Sequence, residues 1–174
     1  MCRKKLQNVV KSINFTLQEE QDMTSLIGNI EAKVDAKGRA FVPAQFRRQL
    51  QDETKFILRK GLFHDCLVLY TEQAWNDIIT VLRNNLSRWN RREEQIFRQF
   101  VAEADRIELE ENGRMLIPKR YIDALQIDKD IRFVGADTVI EIWPINKVEN
   151  TFIDADNFAL EIENLMNIGK STKD

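Results

Sequence analysis

The chain has 174 residues, 43% of them hydrophobic and 31% charged, with a formal net charge of −2. That composition suits one compact domain, or two small halves packed together, with enough apolar material for a core that needs neither disulfide nor structural metal. A charge of −2 excludes DNA binding by bulk positive charge; any such binding has to rest on a few local cations acting over several copies.

Taken in chain order, the start is basic at Arg3, Lys4 and Lys5 but lacks the apolar stretch of a secretory signal. From Asn29 to Val34 polar and apolar residues alternate, as in a half-buried strand. A turn closes on Lys37-Gly38, glycine being the residue that tolerates positive φ. Arg39–Val42 reads as a short strand, and Pro43 is expected at the first position of a helix whose buried stripe is Phe46 and Leu50. Two further strands end at Tyr70. Thr71 then caps a helix that buries Trp75, Ile78, Ile79, Leu82 and Leu86. Asn90, with Glu93 three residues on, opens a second helix that buries Ile96, Phe97, Phe100 and Val101. Arg83, Arg88, Arg91, Arg92 and Arg98 crowd this pair. Such a run solvates the helices or meets acids of a neighbouring subunit, with DNA contact as the alternative.

The next segment repeats the first. D-A-K-G-R-A-F-V-P-A-Q-F-R-R-Q-L at Asp35–Leu50 returns as E-E-N-G-R-M-L-I-P-K-R-Y-I-D-A-L at Glu110–Leu125. Asp35 aligns with Glu110, Gly38 with Gly113, Arg39 with Arg114, Pro43 with Pro118, Phe46 with Tyr121 and Leu50 with Leu125, all in one register. The second copy therefore predicts a strand at Arg106–Leu109, an Asn112-Gly113 hairpin turn, a strand at Arg114–Ile117, a helix from Pro118 and two strands ending at Trp143. Each unit is β-β-α-β-β, so the fold class is mostly β with short helices (α+β). The division is residues 25–74 and 105–148 for the repeats and 75–104 for the connecting helices, with 1–24 as an N-terminal extension and 149–174 as a C-terminal segment. That last segment is acidic (Glu149, Asp154, Asp156, Glu161, Glu163) and predicts an amphipathic helix with Phe158, Ile162, Leu165 and Met166 on one face; Gly169–Asp174 reads as a disordered tail.

The paired D-x-x-G-R-x-x-x-P and E-x-x-G-R-x-x-x-P motifs resemble the MraZ family of bacterial transcription regulators, built from tandem AbrB-type units. V-D-A-K-G-R-A-F-V-P-A-Q-F-R, G-L-F-H-D-C-L-V-L-Y, I-E-L-E-E-N-G-R-M-L-I-P and I-E-I-W carry the likeness, from roughly Leu26 to Val148. It implies a pseudo-twofold, double-psi-type β-barrel, ring-like homo-oligomers, and a nucleoid-associated protein. Its implied partner is promoter DNA with short direct repeats, upstream of a division and cell-wall gene cluster that includes its own gene. It also implies a DNA face containing Asp35, Lys37, Arg39, Glu110 and Arg114. Met23-T-S-L-I-G-N-I resembles a natural start for this family, which makes Met1–Asp22 an expected upstream extension.

Arginine suits bidentate pairing with guanine, which points to Arg39 and Arg114; the bland reading is an ion pair with Asp35 or Glu110 four residues away, and the two are compatible. Lys33 and Lys37 suit phosphate. The second copy has Glu110 for Asp and Asn112 for Lys37, so it is expected to be the weaker reader. No enzyme is expected. His64 is the sole histidine, and His64-Asp65-Cys66 has no third orienting group, with Cys66 opening a buried strand. Asp35 and Glu110 each have an arginine beside them, unlike a carboxylate dyad, and no phosphate loop or nucleophile elbow is present. No cofactor, metal or small-molecule ligand is implied. Two cysteines without Cys-x-x-Cys spacing fit a reducing cytoplasm, and runs such as Cys66–Tyr70 are too short to span a bilayer. The alternative is an antitoxin-like or scaffold module in which Thr151–Met166 binds a protein partner; against it, that helix packs on its own barrel or on an adjacent subunit.

Overall fold

The computed structural model describes residues 25–51, 53–87, 89–149 and 151–171. The N-terminal extension, Arg88 and the last three residues of the expected tail lie outside them. The first repeat forms β1 (Asn29–Lys33), β2 (Arg39–Phe41), α1 (Ala44–Gln49), β3 (Lys55–Lys60) and β4 (Leu67–Thr71). Two helices follow, α2 (Glu72–Asn85) and α3 (Arg91–Ala102). The second repeat forms β5 (Asp105–Glu108), β6 (Arg114–Leu116), α4 (Lys119–Leu125), β7 (Asp130–Ala136) and β8 (Val139–Pro144). The chain ends in α5 (Ile145–Val148) and α6 (Ala155–Ser171). This is a mostly sheet, α+β protein of two like units.

The strand order is β1-β7-β8-β4-β3-β5, and exchanging the repeats reads the same order backwards. Each repeat gives its first strand to the other's hairpin: β1 pairs antiparallel with β7, and β5 with β3. The two hairpins meet at β4 and β8, where Leu67 faces Ile142 and Tyr70 faces Val139. Neither unit can therefore complete its sheet alone. The sheet is not closed into a barrel by strand pairing. Its edges are β1 and β5, while β2 and β6, three residues each, pair with one another as a separate ribbon.

One face of the sheet builds the core with the ribbon and short helices. Ala40 and Met115 point in from β2 and β6, and Phe46 and Tyr121 from α1 and α4. They meet Leu58, Leu69, Phe133 and Ile142. Phe46 is fully buried, which stabilises the fold by roughly 1.5–3 kcal/mol. Repeat-equivalent residues thus occupy equivalent core sites. Pro43 and Pro118 sit one residue earlier than expected: their ψ values of 140° and 136° are extended, so each is the cap before its helix.

The other face carries the connecting helices. Thr71 Oγ1 accepts from the Ala74 N–H at 3.1 Å, and Asn90 Oδ1 from the N–H groups of Arg92 and Glu93, as their caps require. Trp75 stacks on Phe100 at 5.5 Å, and the buried guanidinium of Arg59 in β3 lies 4.1 Å from the Phe100 ring centroid. Arg59 also faces Glu103 at 3.7 Å. The expected stripe of α3 is only partly covered: Phe100 is buried, Phe97 half-buried, and Ile96 and Val101 are exposed, because α3 meets the rest of the chain chiefly through Phe100. α6 departs further from expectation. Its helix continues through Gly169 to Ser171, and Phe158, Leu160, Ile162, Leu165 and Met166 are all exposed, so it does not pack on its own sheet.

Candidate nucleic-acid interface

The first turn is organised by one carboxylate. Asp35 Oδ1 accepts from the N–H groups of Lys37 (2.8 Å) and Arg39 (2.9 Å), and Oδ2 accepts from Arg39 Nε (2.9 Å). The Asp35 carbonyl accepts from the Gly38 N–H at 2.9 Å, and Gly38 takes a φ of +81°. The Arg39 amide, followed by its guanidinium and the Lys37 amide, holds the Asp35 carboxyl below its ordinary value. The acid fixes the turn and one edge of Arg39, leaving the other edge of the guanidinium for a ligand. The Lys37 side chain is exposed and carries no ion pair among the described residues.

The second turn keeps the backbone and divides the acid's work. Gly113 has a φ of +82°, and its N–H reaches the Glu110 carbonyl at 2.8 Å. Asn112 Oδ1 takes the Arg114 N–H at 3.0 Å, the bond that Asp35 makes in the first copy. Glu110, with its extra methylene, bonds Asn112 Nδ2 at 3.2 Å and stands 3.9 Å from Arg114 Nε. Arg114 instead lies over Phe41, 4.8 Å from the ring centroid. Arg114 is thus held less firmly by an acid than Arg39 is.

The ribbon brings the two arginines together. Arg39 pairs across from Leu116, Ala40 from Met115 and Phe41 from Arg114. Side chains alternate along a strand, so Ala40 and Met115 enter the core while Arg39, Phe41, Arg114 and Leu116 share the outward face. Phe41 and Leu116 are both more than half exposed. The turns are stitched crosswise: the Ile117 N–H donates to the Gly38 carbonyl (2.8 Å), and the Val42 N–H to that of Gly113 (3.0 Å).

That crossing delivers a cation absent from the sequence-based set. A Cβ on Gly113 would lie 2.6 Å from Arg47 Cδ, so Arg47 of α1 runs beside the second turn, with Nε donating to the Val42 carbonyl at 3.2 Å. Its repeat-equivalent, Ile122, lies against Gly38. The turn that has Asn112 in place of a lysine therefore has an arginine beside it. The 75-residue register shows Arg47 opposite an isoleucine, a signal of asymmetry, though not of which turn it serves. Lys33 stands apart, at the end of edge strand β1, 4.0 Å from Asp130.

Cys66 is buried, and burial above all pushes its thiol up to about 12, far from a nucleophile's range. Its neighbour His64 lies against Trp143, ring centroids 5.8 Å apart. Among the described residues no group of three or more His, Cys, Asp and Glu could hold a metal, and no helix is long and apolar enough to cross a membrane.

The family model described as "MraZ protein, putative antitoxin-like" matches residues 26–98 and 100–161, one segment per repeat. The chain is 50% identical over 146 residues to the "Transcriptional regulator MraZ" of Bacteroides fragilis, covering 83% of this chain and 92% of that protein. It is 46% identical over 147 residues to the protein of that name from Bacteroides thetaiotaomicron (83% and 94% covered). To that of a Thermoanaerobacter species it is 38% identical over 118 residues (68% and 80% covered).

Proposed function

The chain belongs to the MraZ family, and from that we propose that it is a transcriptional regulator that binds DNA through the outward face of the β2–β6 ribbon. The observation that carries the reading is the shared face: two arginines, one from each repeat, project from a two-stranded ribbon whose other face is core. A B-DNA major groove about 12 Å wide admits a two-stranded ribbon, and arginine is its commonest specific reader, pairing with guanine O6 and N7. Phe41 and Leu116 suit thymine methyl groups. Lys37 and Arg47 flank the arginines and suit phosphate, which positions without specifying. Lys33 is a peripheral phosphate contact; Asp35 holds Arg39, and Glu110 braces Asn112 beside Arg114, so that neither acid touches bases.

A ribbon with so few cations on a chain of charge −2 binds weakly alone; non-specific affinities are on the order of 10⁻⁴–10⁻⁶ M at physiological salt. Several copies joined in a ring-like assembly, each meeting one short direct repeat, raise affinity through effective concentration. The proposed target is promoter DNA upstream of its own gene, in a division and cell-wall cluster, with repression as the outcome and the cytoplasm and nucleoid as the place of action.

The test is fluorescence anisotropy of the full chain against a duplex from upstream of its own gene and against a scrambled duplex, over a salt series. The proposal expects tight binding of the native duplex at physiological salt and loss of the scrambled one. Equal, weak binding of both would refute it.

A further inference from the structure

We infer that the apolar face of α6 in one chain docks in the groove between α2 and α3 of a second chain, head to tail. The inference rests on the self-assembly in the proposed function and is independent of how DNA is read.

α6 is a helix without a seat. Its 17 residues span about 25 Å. Phe158, Ile162, Leu165 and Met166 fall along one stripe at helical spacing, and all four are exposed. Helices in proteins draw most of their stability from packing an amphipathic face, so this one has to bury that stripe. Acidic residues flank the stripe: Glu161 on one side, Asp156 and Glu163 on the other. None of the three forms an ion pair among the described residues.

The α2–α3 pair offers the complementary surface. A groove of about 490 Å³ lies between the two helices, floored by Leu86, Phe97 and Val101 and rimmed by Arg83 and Arg98. Its own acids are engaged: Glu93 accepts from the Ser87 N–H and from Asn90, and Glu94 pairs with Arg98 at 2.7 Å. Arg83, in the groove lining, has no ion pair among the described residues and is a cation open to the unpaired acids of α6. Burial and charge match together.

Topology favours a second chain as the occupant. β4 and β8 are antiparallel neighbours, with Tyr70 facing Val139. Thr71, where α2 begins, and Pro144, where α5 begins, therefore lie at opposite ends of this central pair, about 20 Å apart along the strands. Buried Val148 pins α5 beside Trp143 before the chain runs on into α6. The connections to α2 and to α6 thus leave the sheet from opposite ends, α6 leaves its stripe exposed in its own chain, and such a pair of unlike surfaces produces heterologous contacts that close into rings or extend as chains.

The test uses two variants of the full chain, both substituted at exposed positions: Leu165→Glu with Met166→Glu on the helix, and Arg83→Glu with Val101→Glu at the groove. Urea unfolding at the wild-type midpoint verifies that each is folded. By native mass spectrometry without DNA, wild type is expected as an oligomer and each variant alone as a monomer. An equimolar mixture should recover a species of twice the chain mass, because the groove variant keeps its helix and the helix variant keeps its groove. Assembly of either variant as wild type, a monomeric wild type, or monomers that do not recombine on mixing would each overturn the inference. Recombination of the variants, with a wild-type oligomer that binds no DNA, would leave it standing while sinking the DNA reading.

Discussion

Arg39 and Arg114, from different repeats, stand on one face of a single ribbon, Arg39 opposite Leu116 and Arg114 opposite Phe41. Only two residue steps, about 7 Å, separate them along the strands. The duplication therefore makes one outward face with an arginine near each end, and its two ends differ in what holds the arginine: a carboxylate at 2.9 Å for Arg39, an aromatic face for Arg114.

The crossed packing of the turns separates two glycines that look alike. Alanine at either Gly38 or Gly113 meets a positive φ, at a cost of roughly 1–2 kcal/mol. At Gly38 the new Cβ also crowds the Ile117 backbone carbonyl at 3.0 Å, which cannot swing aside. At Gly113 it meets the Arg47 side chain, which can. Gly38→Ala is expected to lower the urea midpoint more than Gly113→Ala; an equal or reversed order would contradict the packing.

The buried Arg59 clamps the helical pair to the sheet. Arg59→Ala removes a desolvated cation–π contact with Phe100 worth about 2 kcal/mol and leaves a cavity. Arg59→Met keeps the volume and carries no charge to desolvate, so it is expected near wild type. Hydrogen exchange should show α2 and α3 opening more readily in the alanine variant alone. Unchanged protection in Arg59→Ala would remove the clamp from the account.

Asp35 sets a direction with pH. Its folded pKa lies below the ordinary 3.8, so its contribution to stability is complete above that value and is lost as pH falls through the lowered one. Carboxyl NMR titration should place the Asp35 midpoint below 3.8. In Arg39→Ala, which removes the guanidinium but keeps the backbone donors, the midpoint should move up only part of the way. A wild-type midpoint at or above 3.8 would mean the turn is not held as described.

Cys66 should be inert while the protein is folded. With its thiol pushed up to about 12 by burial, a Cys2→Ser variant is expected to resist iodoacetamide at mild alkaline pH and to take up one label in denaturant. Prompt labelling of the native protein would place Cys66 in a different environment.

Much of this was legible in the residues. The repeat register paired Asp35 with Glu110 and Arg39 with Arg114 without any structural knowledge, and the caps Thr71 and Asn90 are where their side chains suggest. The strand order was not legible, because period-2 alternation marks a strand but not its partner, and here each first strand crosses to the other repeat. Arg47 was missed for the same reason: its neighbour, Gly113, is brought close only by that crossing. The α3 stripe misled because Ile96, Phe97, Phe100 and Val101 surround more of the helix than one contact can cover.

In the proposed function the ribbon face reads DNA through one arginine from each repeat. The most direct test of that claim compares wild type, Arg39→Ala and Arg114→Ala for anisotropy binding to the duplex upstream of the protein's own gene, with a scrambled control at matched salt. Each variant should lose roughly 1–3 kcal/mol of discrimination per ribbon, about 5- to 150-fold, with the larger loss for Arg39. Oligomer mass should be unchanged. Wild-type affinity and preference in both variants would contradict the claim and move recognition away from the ribbon.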